Sequence, residues 1–381
     1  MSLTSHILPG QTIGIIGGGQ LGRMMALSAR EMGFNIAVLD PTPNSPCGQV
    51  ADIEITASYD DLEAIKKLAS ISDVITYEFE NIDYETLTWL EWNANLPQGS
   101  QLLKITQDRG TEKSAIQKMG LKVAPFEIVN NEQELVEAIQ LIGMPSVLKT
   151  CRGGYDGKGQ IVLKHQGNIE EALPLFDQGT CILEGWIPFE KEISVIVTRN
   201  SSGDVKTFPV SENIHIGNIL HQSIVPARIS TEIEENAREM AMKLAKGFEL
   251  VGTLAVEMFV TKNGDIFINE LAPRPHNSGH YTIDACETSQ FEQHIRSVCN
   301  LPLGDTTLLK PVVMTNVLGE HLHHLLEDIS SFGCAKIHLY GKKEAKFKRK
   351  MGHITFLGDT IEEALKKSES IRIFNNKLEA N

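Results

Sequence analysis

Paired cysteines, long apolar runs and positive charge are all scarce in this 381-residue chain. The six cysteines (Cys47, Cys151, Cys181, Cys286, Cys299, Cys334) are scattered, with no C-x-x-C pair. That spacing supports neither a disulfide framework nor a zinc site and fits reduced thiols in the cytoplasm. Cys151 reads as a packing residue. No apolar run approaches the ~18 residues a membrane span requires. The opening MSLTSHILPG has neither a charged leader nor a hydrophobic core, so no signal peptide is expected. Lys and Arg number 35 against 49 Asp and Glu, a net charge of -14. Such a balance argues against a nucleic-acid partner, and any anionic ligand must be met by local positive charge. With 41% hydrophobic and 22% charged residues, the chain reads as globular, with room for two or three domains.

One stretch concentrates the missing positive charge. Residues 147–160, VLKTCRGGYDGKGQ, read as a strand bearing Lys149, a glycine loop and a return strand from Gln160. Four glycines between Gly153 and Gly159 leave backbone N–H groups open to a bulky anion. Lys149 and Lys158 add charges that suit phosphates. The spacing is not that of a P-loop, which opens a helix. A mobile hairpin with a solvated lysine is the competing reading.

A second glycine run, Gly17-Gly18-Gly19-Gln20-Leu21-Gly22, fits G-x-G-x-x-G. It lies between an apolar strand (12–17) and a helix ending at Gly33; the next strand (35–39) closes on Asp40. This pattern predicts a Rossmann-like βαβ unit. It supports the fold more strongly than a nicotinamide cofactor, because a helix N-terminus accepts any anion. After the strand at 73–76 comes Tyr77-Glu78-Phe79-Glu80-Asn81, acidic groups at a carboxyl strand end, where open α/β sheets bind ligands. A turn at Leu96–Ser100 marks a boundary.

From Asp108 the pattern changes, first to two helices closing at Gly120 and Gly143, and from the clean alternation at 190–199 onward it reads as antiparallel. The segment GTLAVEMFVTKNGDIFINELAPRP reads as a hairpin around Asn263-Gly264, a two-residue type I′ turn. That turn pairs Lys262 with Asp265 and sets Glu257 opposite Glu270. Directly opposed Cβ atoms lie roughly 4.5–5.5 Å apart, where like charges repel. A divalent cation relieves the repulsion, and two carboxylates with phosphate oxygens suit Mg²⁺; a register slip or a protonated carboxylate would do so as well. Alternation places Asn269 on the other face. Arg274, His276, Asn277 and His280 follow on a proline-stiffened turn that could fix donors around an anion or supply a general acid or base. Residues 301–304 mark a second boundary. Strands are expected at 311–317, 335–340 and 353–357, with a final helix from Thr360. His321, His323 and His324 read as a polar helix start. The basic run Lys346–Lys350 is either a solvated face or an arm reaching a substrate phosphate.

Together these pieces resemble the ATP-grasp superfamily. More narrowly, GGGQLGRM, YEFEN, KTCRGGYDGKGQ, NELAPRPHNSGHYT and RKMGH resemble the N5-carboxyaminoimidazole ribonucleotide synthetase family of de novo purine synthesis, over nearly the whole chain. The resemblance implies a mixed α/β and α+β architecture. It has a Rossmann-like domain (1–106), a two-lobed ATP-grasp centre (107–300, small lobe about 121–190) and a β-rich C-terminal domain (301–381). It implies a cytoplasmic, homodimeric ligase that takes ATP, bicarbonate and 5-aminoimidazole ribonucleotide, with Mg²⁺.

By position, the resemblance gives the ATP phosphates to Lys149, Lys158 and the loop from Gly154 through Tyr155, Asp156, Gly157 and Gly159 to Gln160. Glu184, Gly185, Trp186 and Ile187 line the adenine slot, and Glu192 takes the ribose. Arg109, His215 and Asn269 make further nucleotide contacts, and Glu257 and Glu270 hold the metal. Many superfamily members carry Asn two residues after the second metal carboxylate; Ala272 stands there, so Asn269 or water substitutes. Gln20, Glu78, Tyr155 and Asp156 contact the ribonucleotide, and Arg349 and Lys350 its phosphate. Arg274, His276 and Asn277 surround bicarbonate, with His276 or Asp156 accepting the amine proton. Two rival activities remain on sequence alone. One is another ATP-grasp ligase, such as a formate-dependent glycinamide ribonucleotide transformylase. The other is an NAD-dependent oxidoreductase resting on the first glycine run and Asp40.

Overall fold

The computed structural model describes residues 6–79, 82–154 and 157–371. The chain opens with β1 (Thr12–Ile16), α1 (Gln20–Glu31), β2 (Asn35–Asp40), β3 (Ile53–Thr56), α2 (Leu62–Ser70), β4 (Val74–Tyr77), α3 (Tyr84–Asn93) and α4 (Gln101–Thr106). These strands form a parallel sheet in the order β3-β2-β1-β4. Continuous apolar strands buried on both faces are what such a sheet requires. Its carboxyl ends bring Gly17, Asp40 and Glu78 together, as the Rossmann-like pattern predicts. β3 has only four residues and no clear alternation, and it is not announced by the sequence.

A small antiparallel lobe follows: α5 (Arg109–Lys118), β5 (Phe126–Val129), α6 (Glu132–Ile142), β6 (Ser146–Thr150), β7 (Gln160–Leu163), α7 (Ile169–Ala172) and β8 (Cys181–Gly185). The sheet order is β5-β8-β6-β7. Lys149 and Gln160 are paired across β6 and β7, which places the glycine loop at the tip of a hairpin.

The rest of the chain builds one large sheet. Its elements are β9 (Phe189–Arg199), β10 (Val205–Thr207), β11 (Ser211–Ile216), β12 (Ile219–Val225), α8 (Thr231–Gly247), β13 (Gly252–Thr261), β14 (Ile266–Ala272), α9 (Thr282–Ala285) and α10 (Gln290–Val298). Then come β15 (Val312–Leu318), α11 (Gly319–Glu327), β16 (Lys336–Leu339), β17 (Lys350–Leu357) and α12 (Ile361–Glu369). The order β14-β13-β9-β11-β12-β15-β17-β16, with β10 beside β9, runs unbroken across residue 300. α10 packs on α1: Phe291, Ile295 and Val298 share a buried cluster with Met24 and Met25.

The β13–β14 hairpin corrects two expectations. Its turn is not type I′: Thr261 N–H donates to Asp265 O (3.0 Å) and Gly264 N–H to Thr261 O (2.9 Å), while only Gly264 has positive φ (+82°). The loop therefore holds three residues, Lys262–Gly264, and the pairing starts one residue out of the expected register. A bulge at Asn269 restores it. Met258 pairs with Ile268, but Glu257 pairs with Glu270. The opposed glutamates are thus reached through two offsets that cancel. The extra bulge residue also breaks the alternation that put Asn269 on the far face.

Candidate active site

Parts of all these segments line one cavity of about 650 Å³. Of the expected site residues, it is lined by Gln20, Glu78, Arg109, Lys149, Gly154, Gly157, Lys158, Gln160, Glu184, Trp186, Ile187, Glu192, His215, Glu257, Asn269, Glu270, Arg274, His276, Asn277 and Lys350. Gly159 and Gly185 are not in its wall; Gly159 O accepts Thr150 N–H (2.9 Å), and Gly185 N–H donates to Pro125 O (2.8 Å). Arg349 is exposed, donating to Glu344 O (3.0 Å). Tyr155, Asp156 and Glu80 lie outside the described residues.

At one end, β6 and β8 bring Lys149 Nζ to 3.0 Å from Glu184 Oε2, and buried Lys113 Nζ lies 3.3 Å from the same oxygen. Burial would raise the Glu184 carboxyl, but the two ammonium groups outweigh it and hold it low. Glu184 is therefore a charged bridge between two lysines as well as part of the wall. Arg109, at the start of α5, donates to Gly154 O (3.1 Å) and ties the glycine loop to the helix. Val147, Val162, Ile187 and the stacked rings of Phe189 and Phe259 (centroids 4.6 Å, 11° between planes) make this end apolar, as an adenine ring requires. Further in, Glu192 Oε2 lies 3.1 Å from His215 Nδ1. Burial opposes the charged imidazole, but Glu192 prevails and raises its pKa.

In the middle stand Glu257 and Glu270. Burial, and then the Glu270 carboxylate, push the Glu257 carboxyl up to about 7. The opposed Glu270 carboxylate thus adds to the burial that already disfavours charge on Glu257. His276 Nε2 approaches Glu257 Oε1 at 3.4 Å, while its Nδ1 meets Ser278 Oγ at 2.9 Å. Burial, then Arg274 and Lys350, hold this imidazole neutral, well below its usual range.

At the other end the first glycine run is occupied from within. Gly18 N–H donates to Asp40 Oδ2 (2.7 Å); Gly19 and Gly22 N–H both donate to Glu78, the latter at 2.5 Å. A Cβ on Gly17 would fall 2.3 Å from Glu78 Cγ, at a φ of +106°. The N–H groups that would bind a dinucleotide pyrophosphate are spent on the protein's own carboxylates, which removes the basis for an NAD site. Glu78 is buried, and desolvation raises its pKa despite those donors. Asn277 is locked by a reciprocal amide pair with Asn316 of β15 (2.9 and 2.8 Å). Lys350 enters the wall because β17 begins there, earlier than the expected 353.

Sequence reasoning missed Glu112, Lys113, Asn316 and the Phe189–Phe259 pair. The i, i+3, i+4 spacing of Arg109, Glu112 and Lys113 on a capped helix could have marked one functional face. Nothing local distinguishes Asn316. Cys151 is buried, with its thiol pushed up to about 11 chiefly by desolvation, and it is a packing residue. His323 and His324 sit exposed on α11 beside Glu327, away from the cavity.

Family models match three consecutive stretches: a ribonucleotide synthetase preATP-grasp domain (10–107), an ATP-grasp domain (114–291) and a phosphoribosylaminoimidazole carboxylase C-terminal domain (312–367). The chain is 61% identical to the N5-carboxyaminoimidazole ribonucleotide synthase of Bacillus subtilis over 92% of each sequence. Among solved structures, it is similar to an ADP complex of an N5-carboxyaminoimidazole ribonucleotide synthetase (64% identity, TM-score 0.97, covering 98% of this chain and 100% of that one). It is also similar to the Aspergillus clavatus synthase in complex with ADP and 5-aminoimidazole ribonucleotide (33%, TM-score 0.90, 96% and 98%).

Proposed function

The chain belongs to the N5-carboxyaminoimidazole ribonucleotide synthase family, and from that premise we propose how its cavity performs the reaction. ATP, bicarbonate and 5-aminoimidazole ribonucleotide give N5-carboxyaminoimidazole ribonucleotide, ADP and phosphate, an ATP-dependent carbon–nitrogen ligation of purine synthesis. One observation carries the reading. A single cavity is lined by Lys149, Lys158 and an apolar wall suited to a nucleotide, by Gln20 and Glu78, and by the opposed carboxylates of Glu257 and Glu270, whose surroundings feel the charge of Lys350.

Lys149, Lys158 and the glycine loop hold the ATP phosphates, and Phe189, Phe259, Trp186 and Ile187 enclose the adenine. Glu192, held by His215, takes the ribose hydroxyls. The donor set fits Mg²⁺: Glu257 and Glu270, opposed across the hairpin, would hold it together with Asn269, and the cation would relieve their repulsion. When bound, Mg²⁺ neutralises charge on the transferring phosphoryl group. Arg274 and Asn277 orient bicarbonate so that one of its oxygens attacks the γ-phosphorus and ADP leaves, giving carboxyphosphate. Lys350 anchors the phosphate of the ribonucleotide and Glu78 its polar ring substituents, turning the amine toward that anhydride. The amine attacks the carbonyl carbon and phosphate departs. The departing phosphate takes the amine proton, while neutral His276, whose Nδ1 accepts Ser278 N–H (3.3 Å), turns Nε2 toward Glu257. The glycine loop closes over the anhydride and keeps water out.

Phosphate release should require ATP, Mg²⁺, bicarbonate and 5-aminoimidazole ribonucleotide together. Release that ignores the ribonucleotide refutes the reading, and dependence on formate and glycinamide ribonucleotide selects the rival ligase. Among the described residues no helix is long and apolar enough to cross a membrane, and all six cysteines are unpaired. We place the protein in the cytoplasm as a homodimer, which light scattering tests.

A further inference from the structure

β14, which carries Glu270, ends the large sheet, and among the described residues no full strand lies on its outer side. A lone bridge at Val123 covers Ile268, whose N–H donates to Lys122 O at 2.8 Å. Past that point two charged side chains of α5 meet the strand edge. Glu112 Oε1 accepts Leu271 N–H at 2.5 Å, and Lys113 Nζ donates to Asn269 O at 3.2 Å. They grip the backbone on both sides of Glu270. Both are 2% exposed, and neither lines the cavity.

Burying opposite charges here is costly and stabilises the fold little, so their value lies in what they fix. Asn269 is the bulge residue, and the bulge decides the register. If the pairing of Met258 with Ile268 ran on without it, Glu257 would face Asn269 and Glu270 would turn to the opposite face of the sheet. Lys113 takes the carbonyl of the bulge residue itself, and Glu112 takes the first N–H beyond Glu270. We propose that Glu112 and Lys113 are positioning residues that pin this bulge and so hold the Glu270 carboxylate opposite Glu257 for metal binding. The proposal rests on the metal–nucleotide reading above.

The test is titration calorimetry of ADP against the full chain, with and without Mg²⁺. The readout is the factor by which Mg²⁺ tightens ADP binding, which a merely structural role would leave unchanged. Glu112→Met should reduce that factor tenfold or more while metal-free ADP binding stays within threefold of the parent. Glu112→Gln keeps an acceptor for Leu271 N–H and should restore the factor to within threefold. Lys113→Met, which frees the Asn269 carbonyl, should also reduce it tenfold. A parent-like factor in Glu112→Met overturns the proposal, as does a parallel loss of metal-free binding. Should the Met variants fail to fold by circular dichroism, the near-isosteric Glu112→Gln decides: a retained factor supports the pin and a tenfold loss overturns it. If ADP binding by the parent chain ignores Mg²⁺, the metal assignment itself falls, and the pin with it.

Discussion

His294 makes acid sensitivity of this fold a quantitative prediction. Its ring is fully buried between two domains: Thr253 N–H of β13 donates to Nδ1 (3.2 Å), and Nε2 lies 2.7 Å from Thr76 Oγ1 of β4. A backbone N–H can only donate, so Nδ1 is the acceptor and the neutral ring carries its proton on Nε2. Thr76 accepts that proton and passes its own hydroxyl hydrogen to Gln98. Protonating Nδ1 would set two N–H groups against each other in a dry site. Burial lowers the pKa to about 3, against about 6.5 in an unfolded chain. Between these values the unfolded chain binds a proton that the folded one refuses, so stability falls as pH falls. From pH 7.5 to 4.5 the loss from this one residue is about 2.7 kcal/mol. The assay compares urea unfolding of the parent and His294→Gln at both pH values. Gln can accept from Thr253 and donate to Thr76 but does not titrate. The other buried histidines and the carboxylates act alike in both chains and cancel. The variant should lose about 2.7 kcal/mol less than the parent on acidification; an equal loss would refute the argument.

Glu270→Gln should lower ATP turnover by on the order of 10² and leave the melting temperature unchanged or higher, since it removes the charge that repels Glu257; steady-state kinetics and calorimetry check both, and full activity would remove the metal assignment. Lys350→Ala should raise KM for the ribonucleotide roughly ten- to a hundredfold, the worth of a charge-assisted hydrogen bond, and change KM for ATP little; equal effects would remove its phosphate role.

The local patterns of this chain were readable where one element suffices. The βαβ unit, the strand–glycine loop–strand around Lys149 and the buried face of the β13–β14 hairpin follow from spacing and turn residues. Facts that depend on which element lies beside which were not readable. Two register offsets brought Glu257 opposite Glu270, and no sequence rule announces the bulge at Asn269. Lys113 looks like any exposed helical lysine until Glu184 and the edge of β14 are placed next to it. Asn316 lies 39 positions from the side chain it locks. The strands after residue 300 read as a segment of their own, and a C-terminal domain model matches 312–367; that β15 of this segment pairs with β12 of the central sheet is a neighbour relation the spacing does not give.

The turn at Gly17–Gly22 has a consequence for which molecules the enzyme admits. A helix start with open N–H groups is a positive pole and collects phosphates indiscriminately, including those of abundant free dinucleotides. Asp40 satisfies one N–H of that pole from behind, and Glu78, which lines the cavity, covers two more, so the turn faces the cavity with a carboxyl group rather than open N–H groups. On the function proposed above, the visitor this suits brings hydrogen-bond donors, such as an amine on a heterocycle, and carries its phosphate elsewhere, toward Lys350. A helix start that would otherwise gather anions would then exclude the wrong ones and read the reacting end of the right one.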